Sequence, residues 1–186
     1  MKFGEVAIDE AAGAVLAHSV RSAEGKFAKG RVLTNKDVQT LKAMGIMSVI
    51  AARLEPGDLM EDDAAGRLAA AVPQDHLRLS PATTGRVNIF ASVNGLFRAS
   101  RDVVDRFNRV DPAITLACLS DFSDVRAGDM VATIKIIPLA VAAQAVDRSS
   151  ELLAEGSAFE VKPYAAHKVA LIATELPSLK RSVMDK

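Results

Sequence analysis

Along the first fifty positions the chain passes from alternating apolar and polar residues to apolar residues at helical spacing and back. Ala14 to Val20 reads as a strand, and Ser22 to Gly30, with Gly25 and Gly30 among charges, reads as an exposed connection suited to a hairpin. Thr34 then precedes a stretch from Asn35 to Met44 in which Val38, Leu41 and Met44 recur at intervals of three, with Asp37 three residues after Thr34 and Gly45 just past the end. That is an N-capped helix with a short capping box and a glycine stop. Ile46 to Ala52 follows as a buried strand, and the unit closes at Pro56-Gly57.

Beyond it, Ala64, Leu68 and Val72 recur every four positions between Met60 and Val72, Glu61, Asp62 and Asp63 occupy the first turn, and Pro73 ends the helix. Leu77 to Ser80 is strand-like, and Val87, Ile89, Ala91 and Val93 alternate with polar or aromatic neighbours up to Asn94-Gly95. This dipeptide between alternating runs predicts a hairpin whose return strand is Leu96 to Ala99. Ser100 caps a helix bearing Val103, Val104 and Phe107, which Asp111-Pro112 breaks. Ile114 to Leu119 and Met130 to Ile137 are β-branched runs expected to pair across the turn Arg126 to Asp129. Leu139 to Glu155 is in helical register with Gly156 as its cap, Phe159 to Val161 is a strand, and Val169 to Ala173 reads as the opening strand of an α/β unit. The expected fold is α+β, strand-rich and two-lobed with short helices. A small strand-helix-strand domain spans 1–56, a mixed β domain with helices spans 57–157, and a linker with the start of a truncated α/β domain spans 158–186.

Composition narrows the function classes. Of 186 residues, 49% are apolar, 25% charged and 4% aromatic, with 23 Lys and Arg against 23 Asp and Glu. Zero net charge removes the long-range field that gathers nucleic acid or an anionic membrane, and the absence of Trp removes a base-stacking platform. Neither nucleic acid nor membrane is expected as a partner. The single cysteine, Cys118, lies in an apolar run, and no stretch reads as a signal peptide or a membrane span, so a reducing, cytoplasmic location is expected.

No strong catalytic spacing occurs. His18, His76 and His167 are far apart, and the acids Glu55, Asp58, Glu61, Asp62 and Asp63 are explained by a helix start as well as by a hard cation; no metal is assigned. The basic run of Arg86, Arg98, Arg101, Arg106 and Arg109 reads mainly as a solvated face. Two features carry chemistry. In Thr83-Thr84-Gly85-Arg86-Val87-Asn88, hydroxyls, a glycine and a planar guanidinium precede a strand, a set able to hold an anion or simply to satisfy the ends of a turn. Lys135 interrupts the apolar run Thr133 to Pro138, either as an edge-strand guard or as a charge aimed into a site.

The segments Asp9 to His18, Phe27 to Leu33, Leu54 to Asp58, Glu61 to Ala65, Thr84 to Asn88 and Val131 to Pro138, taken in order, span most of the chain. With them the sequence resembles the N-terminal portion of the molybdopterin-binding proteins related to molybdopterin molybdenumtransferase. The resemblance implies helper domains placed before a pterin-binding α/β domain, in molybdenum cofactor biosynthesis or handling. That domain would begin near Lys168, where Val169 to Thr174 is similar to its first strand, while Glu175-Leu176-Pro177 departs from the glycine and acidic residues usual in the transferases.

It further implies molybdopterin as ligand or substrate, bound through Thr84, Gly85, Arg86, Asn88 and Lys135 in a pocket completed by the following domain or a second subunit. No bound metal is expected in these residues, and no catalytic residue is assigned. The expected partners are a pterin or molybdate, a second copy of the chain, and other proteins of the cofactor pathway. The 186 residues by themselves are expected to show no transferase activity. A non-catalytic interaction or dimerisation scaffold is the alternative, and a small-molecule sensor a third reading.

Overall fold

The computed structural model describes residues 1–22, 25–172 and 174. Its elements in chain order are β1 (Lys2–Ala7), β2 (Val15–Leu16), β3 (Val20–Ser22), β4 (Gly25–Phe27), α1 (Asn35–Ala43), β5 (Ser48–Arg53), β6 (Asp58–Met60), α2 (Glu61–Ala70), β7 (Leu77–Leu79), β8 (Arg86–Ala91), β9 (Gly95–Ala99), α3 (Arg101–Asn108), β10 (Ile114–Cys118), β11 (Ser123–Val125), β12 (Met130–Ile136), β13 (Ala140–Ala142), α4 (Ala143–Glu155) and β14 (Phe159–Pro163). The fold is α+β and strand-rich.

The first unit is an antiparallel sheet in the order β1-β5-β2, with the hairpin β3–β4 beside it. Ile8, Leu16, Leu33, Leu41, Val49 and Ala51 form its core, which α1 closes with one apolar side. The capping box at the start of α1 is complete: the Asp37 N–H donates to Thr34 Oγ1 at 3.2 Å and the Thr34 N–H donates to Asp37 Oδ2 at 3.0 Å. Both groups would otherwise be unsatisfied helix-end donors.

The larger unit stacks helices on a four-stranded antiparallel sheet of order β10-β12-β8-β7, next to a three-stranded sheet of order β11-β9-β14. Along β8, Val87, Ile89 and Ala91 are buried while Arg86, Asn88 and Phe90 face outward, the period of two expected of a sheet covered on one face. Helix α2 packs on β8 and β12, and α3 on β10 and α4. Ala64, Ala65, Leu68, Ile89, Phe97, Phe107, Ile134 and Leu153 are among the residues of this core. Alanines at the contact let α2 lie close to the sheet.

Between the two cores, β6 pairs antiparallel with β13, and a third apolar cluster of Val15, Ala17, Ala52 and Leu139 joins the first sheet to the start of β13.

Four local expectations are corrected. Strands β8 and β9 flank Asn94-Gly95 but do not pair; β8 lies between β7 and β12, and β9 between β11 and β14. Neither Asn94 nor Gly95 has a positive φ, so the tight mirror-image turn is not made. Asn94 Oδ1 instead accepts from the Ala127 N–H at 2.9 Å, and a Cβ at Gly95 would overlap the Lys162 carbonyl of β14. The glycine serves close strand approach rather than a turn. Secondly, β10 and β12 do pair, but β11 is inserted before the turn and joins the other sheet. Thirdly, residues 140–142 are strand rather than helix, and Gly156 is extended at φ −159. Finally, residues 169–172 form no strand and pair with no strand among the described residues, and Val169, Leu171 and Ile172 are 87–93% exposed. Ala173, the end of that expected strand, lies outside the described residues.

Candidate functional site

Thr83 and Arg86 bridge each other through paired backbone hydrogen bonds of 3.0 and 3.1 Å, which leaves Thr84 and Gly85 as a two-residue turn. Both have positive φ, 50° and 69°, as the primed hairpin turns require. A β-branched residue there is strained. Gly85 has a tighter requirement, since a Cβ would stand 2.8 Å from the Ile136 carbonyl oxygen and 3.0 Å from Glu61 Oε2.

This turn is held from two sides. The Gly85 N–H donates to Asp62 Oδ1 at 2.6 Å, and the Lys135 ammonium donates to the Thr84 carbonyl. Gly85 therefore gives its N–H to a carboxylate of the protein itself, and its part in the site is conformational. Lys135 lies directly opposite Arg86 in the register of β12 and β8, and Thr115 of β10 completes the row. Asn88 stands one row further, where its Oδ1 accepts from Thr133 Oγ1 at 3.0 Å and its N–H donates to Ser80 Oγ at 2.9 Å. Thr84, Gly85, Arg86 and Lys135 are thus brought together, with Asn88 beside them and partly engaged in holding the sheet.

No residue of β7, β8, β10 or β12 is acidic, while Arg78, Arg86 and Lys135 all project from the outer side. Arg78 lies over the Phe90 ring, 4.8 Å from its centroid. Arg86 has no carboxylate partner among the described residues. Like charges placed directly across a strand pair repel, and here Lys135 is turned to the Thr84 carbonyl and acts through charge on the Glu61 carboxylate.

Near this end of the sheet, residues 137–139 run along a hollow of about 410 Å³ shared with the N-terminal unit and lined by Phe3, His18, Lys29, Ile137, Pro138 and Leu139 among others. A second hollow of about 240 Å³ follows β1 and is lined by Lys2, Glu5, Glu10 and Arg53. Its Arg53 is already satisfied by Glu10.

In the sequence Glu61 stands among acids that a helix start explains as well as a hard cation does. In the fold it is 9% exposed, its N–H donates to the Leu139 carbonyl at 3.0 Å, and its carboxylate has no hydrogen bond or ion pair among the described residues. Burial pushes its carboxyl above the ordinary value, the charges of Lys29 and Lys135 oppose that, and Asp62 adds to it. The burial comes from Gly85 and Leu139, far away in sequence, so no local pattern announces it. Burial likewise raises the Cys118 thiol, which makes it a poor nucleophile. Among the described residues, no group of three or more His, Cys, Asp and Glu is placed to hold a metal ion.

Residues 5–53, from β1 to the end of β5, match a domain of unknown function (DUF8806). No curated protein and no solved structure matches the chain. No described helix is long and apolar enough to cross a membrane.

Proposed function

We propose that this chain binds an anionic pterin, the molybdopterin of the molybdenum cofactor or a precursor of it, as the helper portion of a molybdopterin-binding protein of the cytoplasm. The carrying observation is the row of Arg86 and Lys135, two cations on adjacent strands with no ion pair among the described residues. A phosphate ester on this row would accept charge-assisted hydrogen bonds from the Arg86 fork and relieve the repulsion between the pair. A phosphate would find guanidinium, ammonium, the Thr84 hydroxyl and the Asn88 amide on or beside strands that carry no acid themselves, with the Asp62 and Glu61 carboxylates of α2 behind the turn. The resemblance in the Thr84 to Asn88 and Val131 to Pro138 segments supports the pterin as its carrier.

Titration of the chain with a 6-alkylpterin phosphate and, separately, with inorganic phosphate tests the reading. Arg86→Ala is expected to weaken pterin phosphate binding about tenfold or more, the scale of a lost charged hydrogen bond, with the unfolding midpoint nearly unchanged. Unaltered binding in Arg86→Ala together with a lowered midpoint would return Arg86 to a structural role. The exposed apolar residues Val169, Leu171 and Ile172 favour a second reading, a surface through which the chain joins another domain or subunit. Sedimentation of the chain with and without residues 165–186 measures that contribution.

A further inference from the structure

Phe3 on β1 and Ile137 just past the end of β12 are each 60% exposed. Exposed apolar side chains scattered singly need no account, but these two line the same hollow of about 410 Å³. Ala17 and Leu139, which line it with them, are only 5% exposed and belong to the small cluster that joins the first sheet to β13. The hollow therefore has an apolar floor and two apolar walls that come from different units of the fold.

Its polar groups are basic. The Gly30 N–H donates to the Leu16 carbonyl at 2.8 Å and the Lys29 N–H to Ser19 Oγ at 3.1 Å, which fixes the chain after β4 against the chain after β2 and brings Lys29 and His18 into one lining. Neither the Lys29 ammonium nor the His18 ring has a hydrogen bond or ion pair among the described residues, and Lys29 reaches the Glu61 carboxylate through its charge alone. The Met1 ammonium, also in the lining, is taken by Glu55 and Asp58 at 2.9 and 2.7 Å. No acid is among the lining residues. A free ammonium at the mouth of an apolar hollow complements an anion carried on an apolar body, and the volume lies within the range of small-molecule sites, about 300–1,000 Å³.

We propose that this hollow is a second binding site, for a small aromatic carboxylate whose ring lies between Phe3 and Ile137 over Ala17 and Leu139 and whose carboxylate meets Lys29 and the His18 ring N–H at the rim. A flat ring makes the best use of the exposed Phe3 face and edge. Neither Arg86 nor Lys135 lines the hollow, and its ligand needs no phosphate, so the proposal stands apart from the pterin reading.

Titration of the full chain with 2-naphthoate and with its uncharged analogue 2-naphthamide tests this. Wild type is expected to bind the naphthoate about tenfold or more tightly than the amide, Lys29→Gln to remove that preference, and Phe3→Ala to weaken both ligands about fivefold. Lys29 and Phe3 are exposed, and thermal unfolding of the two variants reports their fold independently. The Ile137 and Leu139 methyl resonances should shift on binding; larger shifts at Thr133 and the Asn88 amide would place the ligand on the Arg86–Lys135 row and overturn a separate site. Equal affinity for acid and amide in wild type, a preference that survives Lys29→Gln, undiminished binding by Phe3→Ala, or no saturable binding of naphthoate at about 1 mM also overturns the proposal.

Discussion

Asp37 in the first turn of α1 and Glu61 in the first turn of α2 are both buried carboxylates at helix starts, and their surroundings differ completely. Asp37 receives two hydrogen bonds from Arg31, at 2.8 and 2.9 Å, and one from the Thr34 N–H. The Arg31 guanidinium, with help from the Thr34 cap and against the effect of burial, holds its carboxyl down at about 2. Glu61 has two ammonium groups in range of their charge and no bond to either, and burial moves its carboxyl the other way. One carboxylate is complete within 6 residues of sequence, as the Arg31–Asp37 spacing shows. The other has no hydrogen bond or ion pair among the described residues. The difference separates an acid that holds the fold together from one that costs stability, and such a cost is a common mark of a site.

The strongest way to break this contrast is Gly85→Ala. A Cβ at φ 69°, pressed against the Ile136 carbonyl and Glu61, should lower stability by about 2–3 kcal/mol in denaturant unfolding. A smaller loss would show that the turn can retreat from Glu61 and that the carboxylate is less confined than the fold indicates. Next in size, Asp37→Ala is expected to cost about 2 kcal/mol at neutral pH through the lost cap and charged hydrogen bonds. Because the Asp37 carboxyl is lowered from 3.8 to about 2, its contribution is fully present above about pH 4 and disappears as the pH falls through 2. Wild-type and variant stabilities should therefore converge in acid. Smallest and opposite in sign, Glu61→Gln should raise stability slightly at pH 7, because desolvation of the Glu61 carboxylate outweighs the attraction of Lys29 and Lys135. The Glu61 carboxyl is raised above 4.5, so that gain should shrink as the pH falls and vanish below 4.5, where the acid is neutral in both folded and unfolded chains. A gain independent of pH would show that shape rather than charge sets the cost.

How much could be read without the fold depended on the distance over which each feature is decided. The Thr34–Asp37 capping box, the Gly45 stop and the Ser100 cap rest on neighbours within one turn, and the residues expected to form them do so. The pairing of β10 with β12 was legible because two β-branched runs lie close together in the chain. Asn94-Gly95 misled because a turn dipeptide specifies a hairpin only when the strands on each side share a sheet. Here tertiary packing sends β8 and β9 to different sheets, and Lys162 of β14 takes the space over Gly95. At the candidate site, the Thr84–Asn88 segment and Lys135 stood out as charges and hydroxyls that interrupt apolar strands. Glu61 did not, since an acid at a helix start has an ordinary local explanation.

The order of apolar and polar residues by itself determined the helices, most strands and the α+β character, since period and capping act over a few residues and need no distant partner. It also determined which basic residues stand on strands otherwise free of acids. Only the tertiary structure decided that Arg86 faces Lys135 across two strands 49 positions apart in their paired residues, a register set by core burial on the opposite face of the sheet. Likewise it was the packing of α2 under the Gly85 turn, and of Leu139 against the end of β6, that left Glu61 only 9% exposed. Burial is a property of surfaces brought together from remote parts of the chain, and no single segment carries it.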